Sequence, residues 1–370
     1  MNNTMTNIPT MQISEVVDIL ANAYTCLINN NSPLTLMPSV MLWGAPGVGK
    51  SQGVRQIGEK IEKQTGKKVN ITDVRLLLFN PIDLRGIPTA NKDKTLALWL
   101  KPQIFNMDKS EDVVNILLLD EISAAPQSVQ AAAYQITLDR KVGEHELPDN
   151  CIVIAAGNRL TDKSVAYKMP KALANRLLHF EVESRYDAWH KWAIENGINE
   201  KVIGFIGFKR NRLMSFDPET DDLAFATPRS WEMVSNILNN VEDTDERIIR
   251  LISGVVGEGV GVEFKMYLNN YHDLPSIEDI FNGKCKMVPK GVDSLYALSS
   301  SMVAYVREHK DDIKKITNSI KYMDLLPVEY SVLTLKDYLY IDEELKKKLL
   351  KTKEYVKWLE DKGEILNAII

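Results

Sequence analysis

Gly44-Ala45-Pro46-Gly47-Val48-Gly49-Lys50-Ser51 follows directly on the apolar run Val40-Met41-Leu42-Trp43. The spacing of the outer glycines, the lysine and the serine is that of a loop that wraps phosphates. A buried strand must deliver the chain into a turn tight enough for backbone N–H groups to surround an anion, and glycine lets the backbone come that close. Lys50 is expected to reach the β and γ phosphates. Ser51 and Gln52 open a helix whose positive end faces the anion, and the Ser51 hydroxyl is free to ligate Mg²⁺. The stretch predicts a site for ATP with Mg²⁺, cradled by residues 44 to 52. A glycine-rich turn that fits the pattern by chance would not explain the strand before it and the helix after it.

A phosphate loop implies nucleotide binding; hydrolysis needs metal and water chemistry beside it. Ile116-Leu117-Leu118-Leu119 is a continuous apolar run that ends in Asp120-Glu121, as expected of a parallel strand covered on both faces and open at its C-terminal end. Alone, the acidic pair has a second and weaker reading, a solvated turn capping the next helix. Beside the phosphate loop, Asp120 reads as the residue that holds Mg²⁺ next to Ser51. Glu121, on the other side of the strand, reads as the proton acceptor for an attacking water. A third strand, Cys151 to Ala156, ends at Gly157-Asn158. Asn158 either orients water and the γ-phosphate or occupies a left-handed turn position, which Asn favours. Pro170 to Arg176 reads as a short helix before a last strand, Leu177 to Val182, and puts Arg176 near the nucleotide edge of the sheet. Further on, Thr227 is a plausible N-cap with Pro228 at the first helical position, which fixes Arg229 in the first turn. A cation there opposes the helix dipole and hints at an anionic partner.

Composition sets the wider frame. At 370 residues the chain is too long for one simple core. Residues 1–38 read as an N-terminal helix and linker, 39–185 as an α/β nucleotide-binding domain with a parallel sheet covered by helices, 186–272 as an α-helical lid, and 273–370 as a helical C-terminal region. Apolar spacing in the first of these predicts a helix from Ile13 to Asn29. The net charge of −5 argues against a protein that coats nucleic acid. Lys346 to Leu350 is basic but flanked by Asp342-Glu343-Glu344 and Glu354, the pattern of a solvated helix with ion pairs one turn apart. Cys26, Cys151 and Cys285 have no metal-ligand spacing and read as reduced thiols, and none of the five histidines is assigned to metal. The segment Met1 to Asn7 has neither basic residues nor an apolar core, and no apolar run approaches a membrane span, so a cytoplasmic location is expected. Gly254, Gly257, Gly259 and Gly261 mark either a close helix contact, the preferred reading, or a hinge. Trp99, Trp189 and Trp231 read as core.

In this order the motifs resemble those of AAA+ ATPases: Walker A, Walker B with Asp120-Glu121, a strand ending in Asn158, a helix-borne Arg176 and the Thr227-Pro228-Arg229 helix. More narrowly, Asn80-Pro81-Ile82-Asp83-Leu84-Arg85-Gly86-Ile87-Pro88 with Ala97 to Pro102, and then Asp139 to Pro148, look like the two inserted hairpins of the MoxR-type, helix-2-insert group. The match runs from about Ser39 to about Tyr271. The resemblance implies that Asn158 is sensor 1, Arg176 an arginine finger and Arg229 sensor 2, and that the leading helix packs near the adenine. One departure is Asn175 before Arg176, where relatives often carry a second arginine. The resemblance further implies a homo-oligomeric ring, a hexamer, working as a motor or chaperone-like remodeller on a protein client, with a von Willebrand factor A domain protein as partner. A restriction-type nucleic-acid translocase, the ATPase subunit of a metal chelatase and an ATP-gated scaffold are the alternatives.

Overall fold

A computed structural model describes residues 7–162, 169–242 and 245–369; residues 1–6 of the stretch read for a leader lie outside them. The chain divides into two compact units, Met1–Ser184 with Asp217–Asp221, and Arg185–Phe216 with Asp222–Ile370.

The first unit is built on a parallel six-stranded sheet in the order β1-β10-β2-β9-β6-β3. Its strands are β1 (Thr10–Gln12), β2 (Val40–Trp43), β3 (Lys68–Arg75), β6 (Val113–Asp120), β9 (Cys151–Gly157) and β10 (Leu178–Glu183). All of β9, and all of β6 up to Asp120, is buried. That is why both strands read as unbroken apolar runs: helices cover a parallel sheet on both faces. Helix α1 (Ile13–Asn29) starts and stops where its apolar spacing ends, and it packs on α2 (Lys50–Thr65). The two approach closely at Gly53, where an added Cβ would lie 2.4 Å from Ile13 Cδ1. The N-terminal segment is thus part of this unit, with β1 pairing to β10 from Thr10↔Glu181 to Gln12↔Glu183.

Two hairpins interrupt the alternation, as the inserts were read. The first pairs β4 (Ile87–Ala90) with β5 (Ala97–Leu100) after the short helix α3 (Pro81–Arg85). The second, β7 (Lys141–Val142) with β8 (His145–Glu146), follows α4 (Gln127–Asp139). Gly86 has φ 91°, and a Cβ there would lie 1.9 Å from Leu100 O, so only glycine fits the turn into β4. The hairpins are tied together, since His145 Nε2 donates to Trp99 O at 2.7 Å. Trp99 is half-buried rather than core, because its hairpin has no apolar layer on either face: β4 is exposed throughout and β5 at every residue except Trp99. The short helix α5 (Lys171–Ala174) precedes β10.

The second unit is helical: α6 (Tyr186–Glu195), α7 (Glu200–Phe208), α8 (Pro228–Asn240), α9 (Asp245–Val256), α10 (Glu258–Leu268), α11 (Ile277–Phe281), α12 (Val292–Glu308), α13 (Ile313–Met323), α14 (Val328–Ile341), α15 (Glu343–Leu349) and α16 (Lys353–Ile369). Residues on both sides of position 272 share one core, in which Trp189, Phe205, Trp231 and Phe264 join Leu298, Tyr338 and Trp358. Burying a polar group costs unless it is hydrogen-bonded, and here the bonds cross that position. His190 Nε2 meets Asp337 Oδ1 at 2.9 Å, joining α6 to α14, and Trp358 Nε1 donates to Ser331 Oγ at 2.9 Å. The glycine run separates into two kinds. A Cβ on Gly261 would lie 2.1 Å from Ser253 Oγ, and one on Gly257 2.9 Å from Ala224 O, whereas Gly254 and Gly259 meet nothing within 4 Å. Lys346 and Lys348 pair with Glu343 and Glu344 at 3.2 and 2.9 Å, the solvated helix the charge pattern describes.

Cys151 lies inside β9, where burial pushes its thiol up to about 12, while Cys26 is exposed. Only the thiolate is nucleophilic. Iodoacetamide at pH 8 is expected to label Cys26 in the native protein and Cys151 only after denaturation, as peptide mass mapping would read. Equal labelling of the two in the native state would contradict the burial of β9.

Candidate active site

Strands β2, β9 and β6 are adjacent and parallel, with Trp43↔Gly157 and Leu119↔Ala155 in register, so their C-terminal ends open at one edge of the sheet. Three segments converge there: the loop after β2, Asn158 after β9, and Asp120-Glu121 at the end of β6. Gly44 N donates to Gly157 O at 3.2 Å, and a Cβ on Gly44 would lie 2.6 Å from Val182 O. Gly47 and Gly49 have φ of 78° and 99°, a region closed to most side chains. Gly49 is the N-cap of α2. Ala45 and Val48 are buried, and Pro46, Gly47 and Ser51 half-buried. Gln52, in the first turn, is exposed.

Lys50 is buried. Its ammonium donates to Gly44 O at 2.6 Å, Ala45 O at 3.1 Å and Asn158 Oδ1 at 3.1 Å. Ser51 Oγ donates to Asp120 Oδ2 at 2.6 Å. The structure therefore brings together the lysine, the serine, the first carboxylate and the asparagine. A hydroxyl and a carboxylate side by side are a hard-oxygen donor set that fits Mg²⁺, which takes one or two protein ligands and keeps several waters.

Glu121 differs from expectation. It lies beyond β6, in a turn, with φ 58°. Its direction is therefore set by that turn and not by strand alternation. A non-glycine residue there carries strain of order 1 kcal/mol, held in place by its surroundings. The surroundings are explicit. Glu121 N donates to Asp120 Oδ1, Ala124 N and Ala125 N donate to Glu121 O, and Ile122 N donates to Ala156 O of β9.

Arg176 is exposed in the turn between α5 and β10. Because β10 runs parallel to β2 with Leu178↔Val40, this turn lies at the opposite end of the sheet from the phosphate loop, not near the nucleotide edge. The strand stretch from Leu178 to Val182 alone spans about 13 Å. Arg229 belongs to the second unit, exposed in the first turn of α8. The cap there is as read, with Thr227 Oγ1 accepting from Ser230 N at 3.1 Å and Thr227 N donating to Ser230 Oγ at 2.6 Å.

Two residues of the site edge have no motif to announce them. Ser123 Oγ accepts from Asn158 N at 2.9 Å. Arg159, next to Asn158, is paired on both sides: Nη2 donates to Asp162 Oδ1 and Nη1 to Glu181 Oε1, each at 2.8 Å, and both carboxylates are 3% exposed. Adjacency to Asn158 was the one available signal, since Glu181 is brought in by the sheet.

Residues 39–179 match the model of the ATPase family associated with various cellular activities (AAA). No curated protein matches the chain. Among solved structures, NtrX from Brucella abortus is similar at 14% identity, over 84% of this chain and 63% of that one, with a TM-score of 0.34. PCH-2 from C. elegans follows at 13%, over 80% and 68%, with 0.33, and a RuvB variant from Thermotoga maritima at 14%, over 80% and 83%, with 0.33. The family match falls within the first unit, which carries the site.

Removing the Arg159 guanidinium takes one cation away from two buried carboxylates, Asp162 and Glu181. Breaking a buried pair costs about 3–5 kcal/mol. Arg159→Met is expected to lower the urea midpoint of the first unit by a corresponding amount, and a change below about 1 kcal/mol would show that the cluster is not structural.

Proposed function

We propose that this protein is an ATP-hydrolysing motor of the MoxR type that remodels a protein client as a ring of this chain. The observation that carries the reading is the meeting of Lys50 with Asn158 and of Ser51 with Asp120 at one sheet edge, with Glu121 next in the chain. Phosphoryl transfer to water needs positioning and charge neutralisation more than covalent chemistry. Residues 44 to 52 bind the phosphates and Lys50 draws charge from the β and γ groups. Ser51 and Asp120 would hold Mg²⁺, which supplies further neutralisation when bound. Glu121 accepts the proton of the attacking water and Asn158 aligns it.

Arg176 starts from the far end of its own sheet, which supports a role in a neighbouring subunit's site and hence a homo-oligomer, a hexamer on the family pattern. Arg229 acts as the lid's sensor of the γ-phosphate, with residues 186–272 as that lid. Work reaches the client through the hairpins, whose Ile87, Leu98 and Leu100 are exposed. Apolar side chains clustered on a surface mark interaction sites. A von Willebrand factor A domain protein is the proposed partner and the cytoplasm the proposed location; no helix among the described residues is long and apolar enough to cross a membrane.

Lys50→Ala is expected to abolish binding of a fluorescent ATP analogue, whereas Glu121→Gln keeps binding and loses turnover. Equal affinity in wild type and Lys50→Ala would sink the assignment. With ATP and Mg²⁺, Glu121→Gln should run as a ring in light scattering, and a strictly monomeric mass at micromolar protein counts against it.

Arg176→Ala is expected to bind ATP normally and to lose ~10³ to 10⁵ of the hydrolysis rate. Mixing it with Lys50→Ala subunits should restore activity, because some interfaces then pair an intact loop with an intact finger. Near-wild-type turnover by Arg176→Ala alone refutes the finger, and no recovery despite verified co-assembly refutes its action in trans.

A further inference from the structure

Glu121 and Asn158 come from different strands, so the water they are to align depends on a turn that the β-ladder does not hold. Beyond Ile122 N to Ala156 O and the turn's own bonds from Ala124 N and Ala125 N to Glu121 O, residues 121–125 are held to their surroundings by side chains. Ser123 Oγ accepts from Asn158 N at 2.9 Å. Gln130, one turn into α4, donates through Nε2 to Ser123 O at 3.1 Å and to Ala125 O at 3.0 Å, and the Tyr134 hydroxyl donates to Gln130 Oε1 at 3.4 Å. Ser123 is 2% exposed and Gln130 4%. Gln130 stands on a helix face whose other buried residues include Val129, Ala133 and Ile136. An apolar side chain would fill that place without the cost of burying an amide. What the amide adds is a donor shared by two carbonyls of the turn. Gly157 completes the arrangement, because a Cβ there would lie 2.9 Å from Ser123 Oγ.

We propose that Ser123 and Gln130 are positioning residues that hold Glu121 at a fixed separation from Asn158, so that hydrolysis depends on them and nucleotide binding does not. The inference rests on the ATPase reading given above. Among the described residues, the hydrogen bonds of Ser123 and Gln130 run to Asn158, to the turn and to Tyr134, and those of Lys50 and Ser51 to Gly44, Ala45, Asn158 and Asp120. Loss of Ser123 or Gln130 therefore reaches the reaction through the turn and, for Ser123, through the backbone of Asn158.

The test uses the full-length chain with Ser123→Ala and, separately, Gln130→Met, which keeps the volume and removes the donor. ATP turnover gives kcat and KM, a fluorescent ATP analogue gives Kd, and thermal melting reports folding. A lost hydrogen bond that leaves a buried group unsatisfied is worth about a tenfold change. The expected result is a fall in kcat of about tenfold or more in each variant, with KM and Kd within about threefold of wild type. In the double variant the loss should be less than the product of the two, because both act on one turn. Unchanged kcat in the folded variants overturns the proposal. So does a parallel loss of kcat and Kd, which would make the residues general supports of the site. If one variant fails to fold, the other decides; if neither folds, the role is structural and the proposal fails. Absence of wild-type turnover that Glu121→Gln removes would instead refute the ATPase reading itself.

Discussion

Backbone pairing of β2 with β9, and of β9 with β6, is the constraint on which the site depends. The loop after β2 can meet Asp120 and Asn158 because three parallel strands end at one edge in a fixed register, Trp43 opposite Gly157 and Leu119 opposite Ala155. The closeness required is steric as well as topological. Gly44 has no room for a Cβ against Val182 O, and Gly157 none against Met41 Cε and Ser123 Oγ, each within 3 Å. Apolar burial supplies the driving force for the strands, and glycine permits the approach that makes the edge a site.

Much of this was legible from short stretches of chain. The phosphate loop, the acidic pair and the Thr227 cap are local patterns whose physics is contained within a few residues. So is α1, whose apolar spacing predicts its limits. What failed was orientation. Arg176 was misplaced because which end of a sheet a turn occupies depends on the direction of pairing between distant strands. Strand alternation does not set the direction of Glu121, which stands one residue beyond β6 in a turn with positive φ. Trp99 looked like core because its residue type is usually buried, yet a two-stranded hairpin without a layer beneath it cannot bury its own side chains. Ser123, Gln130 and Arg159 were invisible: their meaning lies in partners such as Asn158, Ala125 and Glu181, which are set by the fold and not by spacing.

The units also differ in how they handle buried polarity. In the first, Lys50, Ser123, Asn158 and the Arg159 cluster gather at the functional edge, while β9 is apolar throughout and β6 carries one buried polar side chain before Asp120, Asn115, near its other end. In the second, polar side chains are dispersed through a helical core as single ties, Asp337 to His190 and Ser331 to Trp358. Such bonds contribute little net stability but penalise any packing that leaves them unmade. They specify how α6, α14 and α16 dock.

Helix α4 gives the first unit a mechanical continuity that sequence motifs do not express. Its N-terminal turn carries Gln130 beneath the Glu121 turn, and its C-terminal end leads into the hairpin of β7 and β8. There His145 holds Trp99 O of the other hairpin. At 1.5 Å per residue the helix spans about 20 Å, and a helix of that length moves as a rod rather than bending within a few residues. A shift of the Glu121 turn that α4 followed would be carried to its C-terminal end, where the β7–β8 hairpin begins with Val142 buried in the core. Contiguity alone does not make a switch, since coupling also requires an element with two discrete arrangements that both ends bias. Along this path two non-glycine residues take positive φ, Glu121 at 58° beside the chemistry and Arg140 at 54° where α4 passes into β7, so the backbone departs from its ordinary range at both ends of the helix.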